Sequence, residues 1–250
     1  MVYLVVNQLK NKVMVDIIAF GAHPDDVELS AGGTLIKHVK NGFSVGIVDL
    51  TMGEMGTRGN ITTRKMEAEK AKDIIGAKFR INLNLPDAFI NISKDSISEI
   101  VKVIRTYKPQ IVLCNAIKDR HPDHGVASKL VSKSCFISGL KKFETFENNI
   151  SQDAHRPVSV YHYIQDQWID PDFVVDISEN YDQKIKAVMA FKSQFYDPKS
   201  QEPSTPISSL EFLESIKSKA NLLGRSINKK FGEGFTVERP LGTNSLLNLF

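Results

Sequence analysis

From Val15 onward the chain alternates between short apolar runs and helix-length amphipathic stretches, and this alternation constrains its fold more than any other feature. Runs at residues 15–20, 44–50, 79–85 and 110–115 have the length of strands. The first is what a strand covered on both faces looks like, whereas the third alternates apolar and polar residues. Between these runs, residues 27–40, 62–75, 94–107 and 123–137 carry helical patterns. Threonines open the second helix, glycines lie just beyond the first two, and Pro109 follows the third. Strands separated by helices of this length join through right-handed crossovers. The expectation is an α/β, Rossmann-like, doubly wound sheet, mainly parallel, with strand order 3-2-1-4-5 and helices on its faces.

The second half is less regular. Strands are expected at residues 157–164 and 173–176 and helices at 180–195 and 210–222, with 196–208 as a surface loop rich in Pro, Ser and charge. No repeat or linker divides the chain, so residues 14–250 are expected to form one domain. Residues 1–13 begin apolar but have neither a charged leading region nor a small-residue cleavage site, and are expected to be a dispensable extension, with an added edge strand as the alternative. With 42% hydrophobic and 24% charged residues, the composition excludes a disordered or low-complexity chain. No apolar run approaches the roughly 18 residues of a membrane span. The net charge, +3, is too small to point to nucleic acid. Only two cysteines occur, Cys114 and Cys135, in no CxxC pair, which argues against a disulfide scaffold and for a reducing cytoplasm.

In a doubly wound sheet, ligands bind beyond the carboxyl ends of the strands where strand order reverses, here between the first and fourth strands. The loop after the first reads Gly21-Ala22-His23-Pro24-Asp25-Asp26, and the loop after the fourth reads Lys118-Asp119-Arg120-His121-Pro122-Asp123-His124. Either His-Pro-Asp segment alone is commonly a turn, with proline fixing φ and aspartate capping the next helix. Facing each other across one crevice, their imidazoles and carboxylates are costly to desolvate unless a divalent metal compensates them. Two imidazoles, one carboxylate and an open position make a catalytic zinc set. His23 and Asp26 can reach one ion, and Asp25 then stays free as a base. Either His121 or His124 completes the set, and the other remains for acid or electrophilic work. Asp123 could orient a histidine.

AHPDDVELSAGG after the first strand and HPDH after the fourth resemble the LmbE-like (PIG-L) zinc-dependent N-acetylglucosaminyl deacetylase family. GEMGTRGNITTRKMEAEKAKDIIGA, NLNLPD, YKPQIVLCN and FGEGFTVERPLG look like its bacillithiol-biosynthesis branch, which deacetylates N-acetylglucosaminyl-malate. The resemblance implies zinc, with iron as a realistic substitute, on His23, Asp26 and His124. It implies Asp25 as general base, His121 as the group that stabilises the oxyanion or protonates the amine, and Asp123 as the partner orienting His121. Arg64 matches a contact to sugar hydroxyls and Asp87 a sugar-binding acid. The family often has a tyrosine two residues before the acid histidine; here that residue is Asp119. The partner implied is a small amino-sugar conjugate, and a homo-oligomer is compatible with the chain. The competing functions are deacetylation of another N-acetylglucosaminide and non-catalytic binding of sugar or metal, against which the retained Asp25 argues.

Other signals are weaker. Residues 42–46 match GxSxG, but a nucleophile elbow follows a strand and opens a helix, whereas this one does the reverse. Gly32-Gly33 lacks the spacing of a dinucleotide loop and reads as close packing. His162 reads as an inward core histidine, with a site residue as the alternative, and Ser193-Gln194 resembles a short family motif near the site. The glycine-rich run 53–60 is expected to be a mobile loop that carries Arg58 over the crevice, to bind an acidic substrate group or simply to be solvated.

Overall fold

In the computed structural model, residues 14–248 are described; the expected extension at 1–13 lies outside the described residues. The first two strands, β1 (Ile17–Gly21) and β2 (Val45–Asp49), are buried at every position. That follows from their near-continuous apolar sequence, since helices cover both faces. Helix α1 (Asp26–Lys40) connects them, and α2 (Ile61–Ile75) leads to β3 (Phe79–Asn82). Asn60 caps α2 by accepting from the Thr63 amide at 2.9 Å, and Gly76 ends it in the left-handed conformation. Helix α3 (Lys94–Tyr107), β4 (Ile111–Cys114) and α4 (Pro122–Ser138) complete the expected alternation.

Side chains alternate across β1. Ile18 and Phe20 pack with Ile100 of α3 and Leu130 of α4, while Ile17 and Ala19 pack with Leu35 and Ile36 of α1. The sheet is thus the middle of three layers, and both helix layers end their connections at the same edge.

Beyond α4 come a two-stranded hairpin, β5 (Phe146–Glu147) and β6 (Ile150–Ser151), then β7 (Ser159–Tyr163), β8 (Phe173–Asp176), α5 (Tyr181–Val188), α6 (Leu210–Ser226) and β9 (Gly232–Val237). The main sheet has the order β3-β2-β1-β4-β7-β9-β8. Its first five strands are parallel and reproduce the expected 3-2-1-4-5; β9 then runs antiparallel to both β7 and β8.

Two elements escaped the sequence pattern. Strand β9 reads GEGFTV, too glycine-rich for a propensity signal, and its ladder comes from partners far away in the chain. The β5–β6 hairpin turns on Asn148 and Asn149, both at positive φ. The helix expected at 180–195 stops at Val188, because tight turns then bury Phe191 and Phe195 against Ala68 and Ala71 of α2. No described helix is long and apolar enough to cross a membrane.

The sheet also carries a buried ion cluster. Arg80 of β3 makes two bonds to Asp49, at 2.7 and 2.8 Å, and one to Glu28 of α1 at 2.5 Å, with all three residues shielded from water. Burial pushes the Glu28 carboxyl upward and the guanidinium opposes that shift. Removing the cation would leave two carboxylates without compensation. Arg80→Met is expected to lower the unfolding free energy by about 3–5 kcal/mol, read from the midpoint of urea denaturation.

Candidate active site

The carboxyl ends of β1 and β4 lie side by side, and the two His-Pro-Asp segments meet there. Asp25 has φ 121°, a conformation that non-glycine residues adopt only under constraint. It precedes α1 directly, while His121 caps α4, its Nδ1 accepting from the Asp123 amide at 3.3 Å. The sequence thus starts one helix from each loop inside the crevice.

The imidazole rings of His23, His121 and His124 converge, with centroids 4.5 Å (His23–His121), 5.4 Å (His23–His124) and 5.1 Å (His121–His124) apart. Asp26 lies among them: His23 Nδ1 is 3.6 Å from its Oδ2 and His124 Nε2 is 3.1 Å from its Oδ1. Ligands of a tetrahedral zinc at about 2.0–2.1 Å stand roughly 3.3 Å from one another, so this spacing fits a divalent ion. The ligand nitrogens of His23, His121 and His124 also lie within 4.8 Å of one another, leaving both sequence alternatives geometrically open. The outer bonds of the two differ. His124 Nδ1 donates to Asp119 at 2.6 Å, the carboxylate–histidine arrangement that orients a metal ligand, whereas His121 spends its Nδ1 on capping α4.

Asp26 itself is tightly held. Its Oδ2 accepts from the His23 amide and from Asn115 Nδ2, both at 2.9 Å, and its Oδ1 accepts from Gln165 Nε2 at 3.0 Å. Burial opposes its ionisation, yet His124 and His23 beside it keep its carboxyl well below the usual range. His124 loses from burial but is raised to about 9 by Asp26 and Asp119. Asp25 differs: full burial lifts it to about 7, against the opposing Arg64 guanidinium. Burial and the two neighbouring imidazoles lower His121, making it the weakest holder of a proton among the three. A near-neutral carboxyl and a readily released imidazole proton are a suitable pair for acid–base work.

Several expected roles change place. The Asp123 carboxylate does not reach for His121; it accepts from the Ala88 amide at 2.9 Å and lies 3.3 Å from His23 Nε2. It therefore orients His23, because the loop after β3 brings Ala88 to the same oxygen. Asp87 also turns to His23, at 3.1 Å, and accepts from the Met55 amide at 2.9 Å, while still lining the cavity. Arg64 spans from Gly53 O (3.0 Å) to Pro24 O (2.7 Å) and Asp25 Oδ2 (3.2 Å). Gly53 has positive φ, and a Cβ there would collide with that guanidinium, which accounts for glycine at this point.

Arg58 corrects the expectation of a mobile, exposed loop. It is 4% exposed, donates to Ser200 Oγ at 2.6 Å, lies 3.7 Å from Glu202, and falls outside the cavity lining. Gln194 Nε2 donates to Arg58 O at 2.8 Å and Ser193 Oγ to Glu67 at 2.7 Å, so the Ser193-Gln194 pair anchors the 53–60 loop against α2. His162 is a buried core histidine as expected, bonded to Ser128 Oγ (2.8 Å), Asn115 O (3.1 Å) and Glu238 (3.0 Å). Sequence reasoning missed Asn115 and Gln165. Their signal was position: each is the first amide side chain past the carboxyl end of its strand, β4 and β7.

The switch point of this doubly wound α/β sheet thus joins a buried carboxyl raised to about 7 with a His/Asp cluster spaced to hold a divalent ion. Residues 18–135 match the family model "PIG-L: GlcNAc-PI de-N-acetylase". The chain is 31% identical over 189 residues to the diacetylchitobiose deacetylase of Thermococcus kodakarensis, covering 72% of this chain and 70% of that one. It superposes on the crystal structure of the conserved protein TT1542 from Thermus thermophilus with a TM-score of 0.82 and 31% identity, covering 93% and 99% of the two chains. It is also 25% identical over 190 residues to the 4-oxalmesaconate hydratase of Pseudomonas putida, covering 71% and 73%. The chain belongs to the PIG-L family and is an amide-hydrolysing deacetylase.

Gln165 touches Asp26 but carries no charge of its own. Gln165→Ala is expected to weaken zinc binding about 10- to 100-fold, the usual cost of losing a partner that orients a ligand. Competition with a chromogenic chelator measures it; unchanged affinity would remove Gln165 from the site's support.

Proposed function

We propose that this enzyme removes the acetyl group from an N-acetylglucosamine conjugate, with N-acetylglucosaminyl-malate of bacillithiol synthesis as the substrate the sequence resembles most. The observation that carries the reading is Asp25: a buried carboxyl, lifted to about 7, beside a compact His/Asp cluster yet not needed to complete it. Mere binding of metal or sugar has no use for such a group.

His23, Asp26 and His124 would hold the metal, zinc being the natural choice and ferrous iron a workable one. Bound there, the ion supplies Lewis acidity and a water acidic enough to ionise near neutrality. Asp25 accepts the proton of the attacking water, with Arg64 fixing its carboxylate. His121, whose Nδ1 accepts from the Asp123 amide, donates its Nε2–H toward the acetamide oxygen as negative charge develops there, and the proton that Asp25 took from the water passes to the departing amine. Asp123 and Asp87 keep the His23 ring in place. Amines are poor leaving groups, so the acid is required as much as the base.

For the malate part, Arg120 supports the reading better than Arg58. Arg120 lines the cavity, its side chain is 51% exposed, and its only ion-pair partner among the described residues is the half-exposed Asp166 at 2.6 Å. A substrate carboxylate can take the place of Asp166. We read the protein as cytoplasmic, with its two cysteines free and buried. The hydratase relative offers a second chemistry on a similar scaffold, addition of water to a carbon–carbon double bond, which yields no amine.

The deciding experiment is acetate release from a panel of N-acetylglucosaminides, including the malate conjugate, before and after chelation. Chelation is expected to abolish release and added Zn²⁺ to restore it; full turnover by demonstrably metal-free enzyme would sink the reading. Asp25→Asn should keep its metal and lose about 10²–10⁴ in kcat, and His121→Ala should behave alike. Asp26→Ala should lose the metal itself. A reversed pattern, with zinc retained in Asp26→Ala and lost in Asp25→Asn, would exchange the two roles.

A further inference from the structure

The cavity continues past the His/Asp cluster. It encloses about 360 Å³, within the range of roughly 300–1,000 Å³ that takes a whole small-molecule ligand. Sheet order gives it two unlike sides. The segments after β2 and β3 lie on one side of the β1–β4 crevice and carry Arg64, in the first turn of α2, and Asp87. On the other side, toward β7 and β9, an arm runs under α6. Its wall is Leu29, Ile164, Ile207, Phe212, Ile216 and Leu223.

The charged groups beside this arm already have partners. Lys184 Nζ donates to Glu233 at 2.7 Å, and Glu233 also accepts from the amides of Gly33 (2.9 Å) and Thr34 (2.6 Å). Lys219 Nζ donates to the Gln165 carbonyl. Sugar hydroxyls placed against its apolar wall would lose their water with few side chains free to replace it, which is costly. A hydrocarbon chain would lose nothing. An amide bound at the cluster has a hydroxyl-rich amine side and an acyl side, and only the acyl side suits the arm.

We propose that the arm is an acyl pocket and that the enzyme cleaves N-acyl amino sugars with chains longer than acetyl. The inference rests on the hydrolase reading above. Atoms balance as in deacetylation: water adds its oxygen to the acyl carbon, the C–N bond breaks, the freed amine takes up a proton, and a fatty carboxylate leaves. Each methylene that enters the arm is worth at most a roughly fourfold gain in binding, the equivalent of about 0.8 kcal/mol.

The test uses the full-length, zinc-loaded enzyme with N-acetyl-, N-butanoyl- and N-hexanoylglucosamine, following release of free amine. KM is expected to fall as the chain lengthens, by at least tenfold from acetyl to hexanoyl. Ile207→Trp, which fills the arm from a half-buried loop position, should lower the hexanoyl-to-acetyl ratio of kcat/KM at least tenfold. Phe212→Ala, which widens it, should raise that ratio; loss of fold cannot move the two variants in opposite directions. In parallel, calorimetry with N-hexanoylglucosamine on Asp25→Asn enzyme, with and without Ile207→Trp, reads binding without turnover. Cleavage of acetyl with neither cleavage nor binding of hexanoyl would overturn the acyl pocket and leave the deacetylase reading standing. If no substrate is cleaved, the hydrolase reading falls, and Ile207-dependent binding of the hexanoyl compound still decides what the arm accepts.

Discussion

The carboxylate of Asp26 ties together three strand ends. Its oxygens accept hydrogen bonds from the His23 amide after β1, from Asn115 after β4 and from Gln165 after β7, and His124 of α4 lies against it. An ionised carboxylate this deeply buried survives only when fully bonded and faced by positive charge. The bonds also set where it points. Loss of any strand end would leave a donor or the carboxylate unpaired in low dielectric, so the geometry of the cluster and the register of the central strands depend on one another.

Burial acts in opposite senses on the two neighbouring aspartates. Asp26, between imidazoles, stays ionised; Asp25, facing a single guanidinium from a strained backbone, is raised to about 7. Adjacent carboxylates thus differ in charge state because the chain turns between them, which suits them to the proposed roles of ligand and base. The turn is held by Arg64, which bonds Pro24, Gly53 and Asp25 at once and so links the β1 loop to the loop after β2.

Support also comes from residues remote in sequence. Arg58, Ser193, Gln194, Ser200 and Glu202 form a polar lock around the buried Arg58 that pins the 53–60 loop beside the site, with Gln194 at the cavity wall. A charged residue in a glycine-rich run looks like a mobile contact in sequence, but a buried arginine with two partners is an anchor. Asp119, out of keeping with the family pattern, bonds His124 and the Gln167 amide at 2.6 Å each. It therefore orients His124 from the position where a tyrosine is common.

The sequence by itself determined the alternating βαβ order, the five parallel strands and the meeting of the two His-Pro-Asp loops. Those depend on local hydrophobic period, helix stops and the handedness of crossovers, all of which are written over short stretches of chain. It also singled out the histidines and aspartates of the site, since clustered imidazoles and carboxylates have few structural uses. Only the tertiary structure decided which partner each one has. Asp123 serves His23, not His121, because Ala88 arrives from another loop; Arg58 is buried because Ser200 and Glu202 close over it. Strand β9 and the amides of Asn115 and Gln165 were silent for the same reason. A glycine-rich strand and a neutral amide acquire meaning only from what packs against them, and those contacts join residues scores of positions apart.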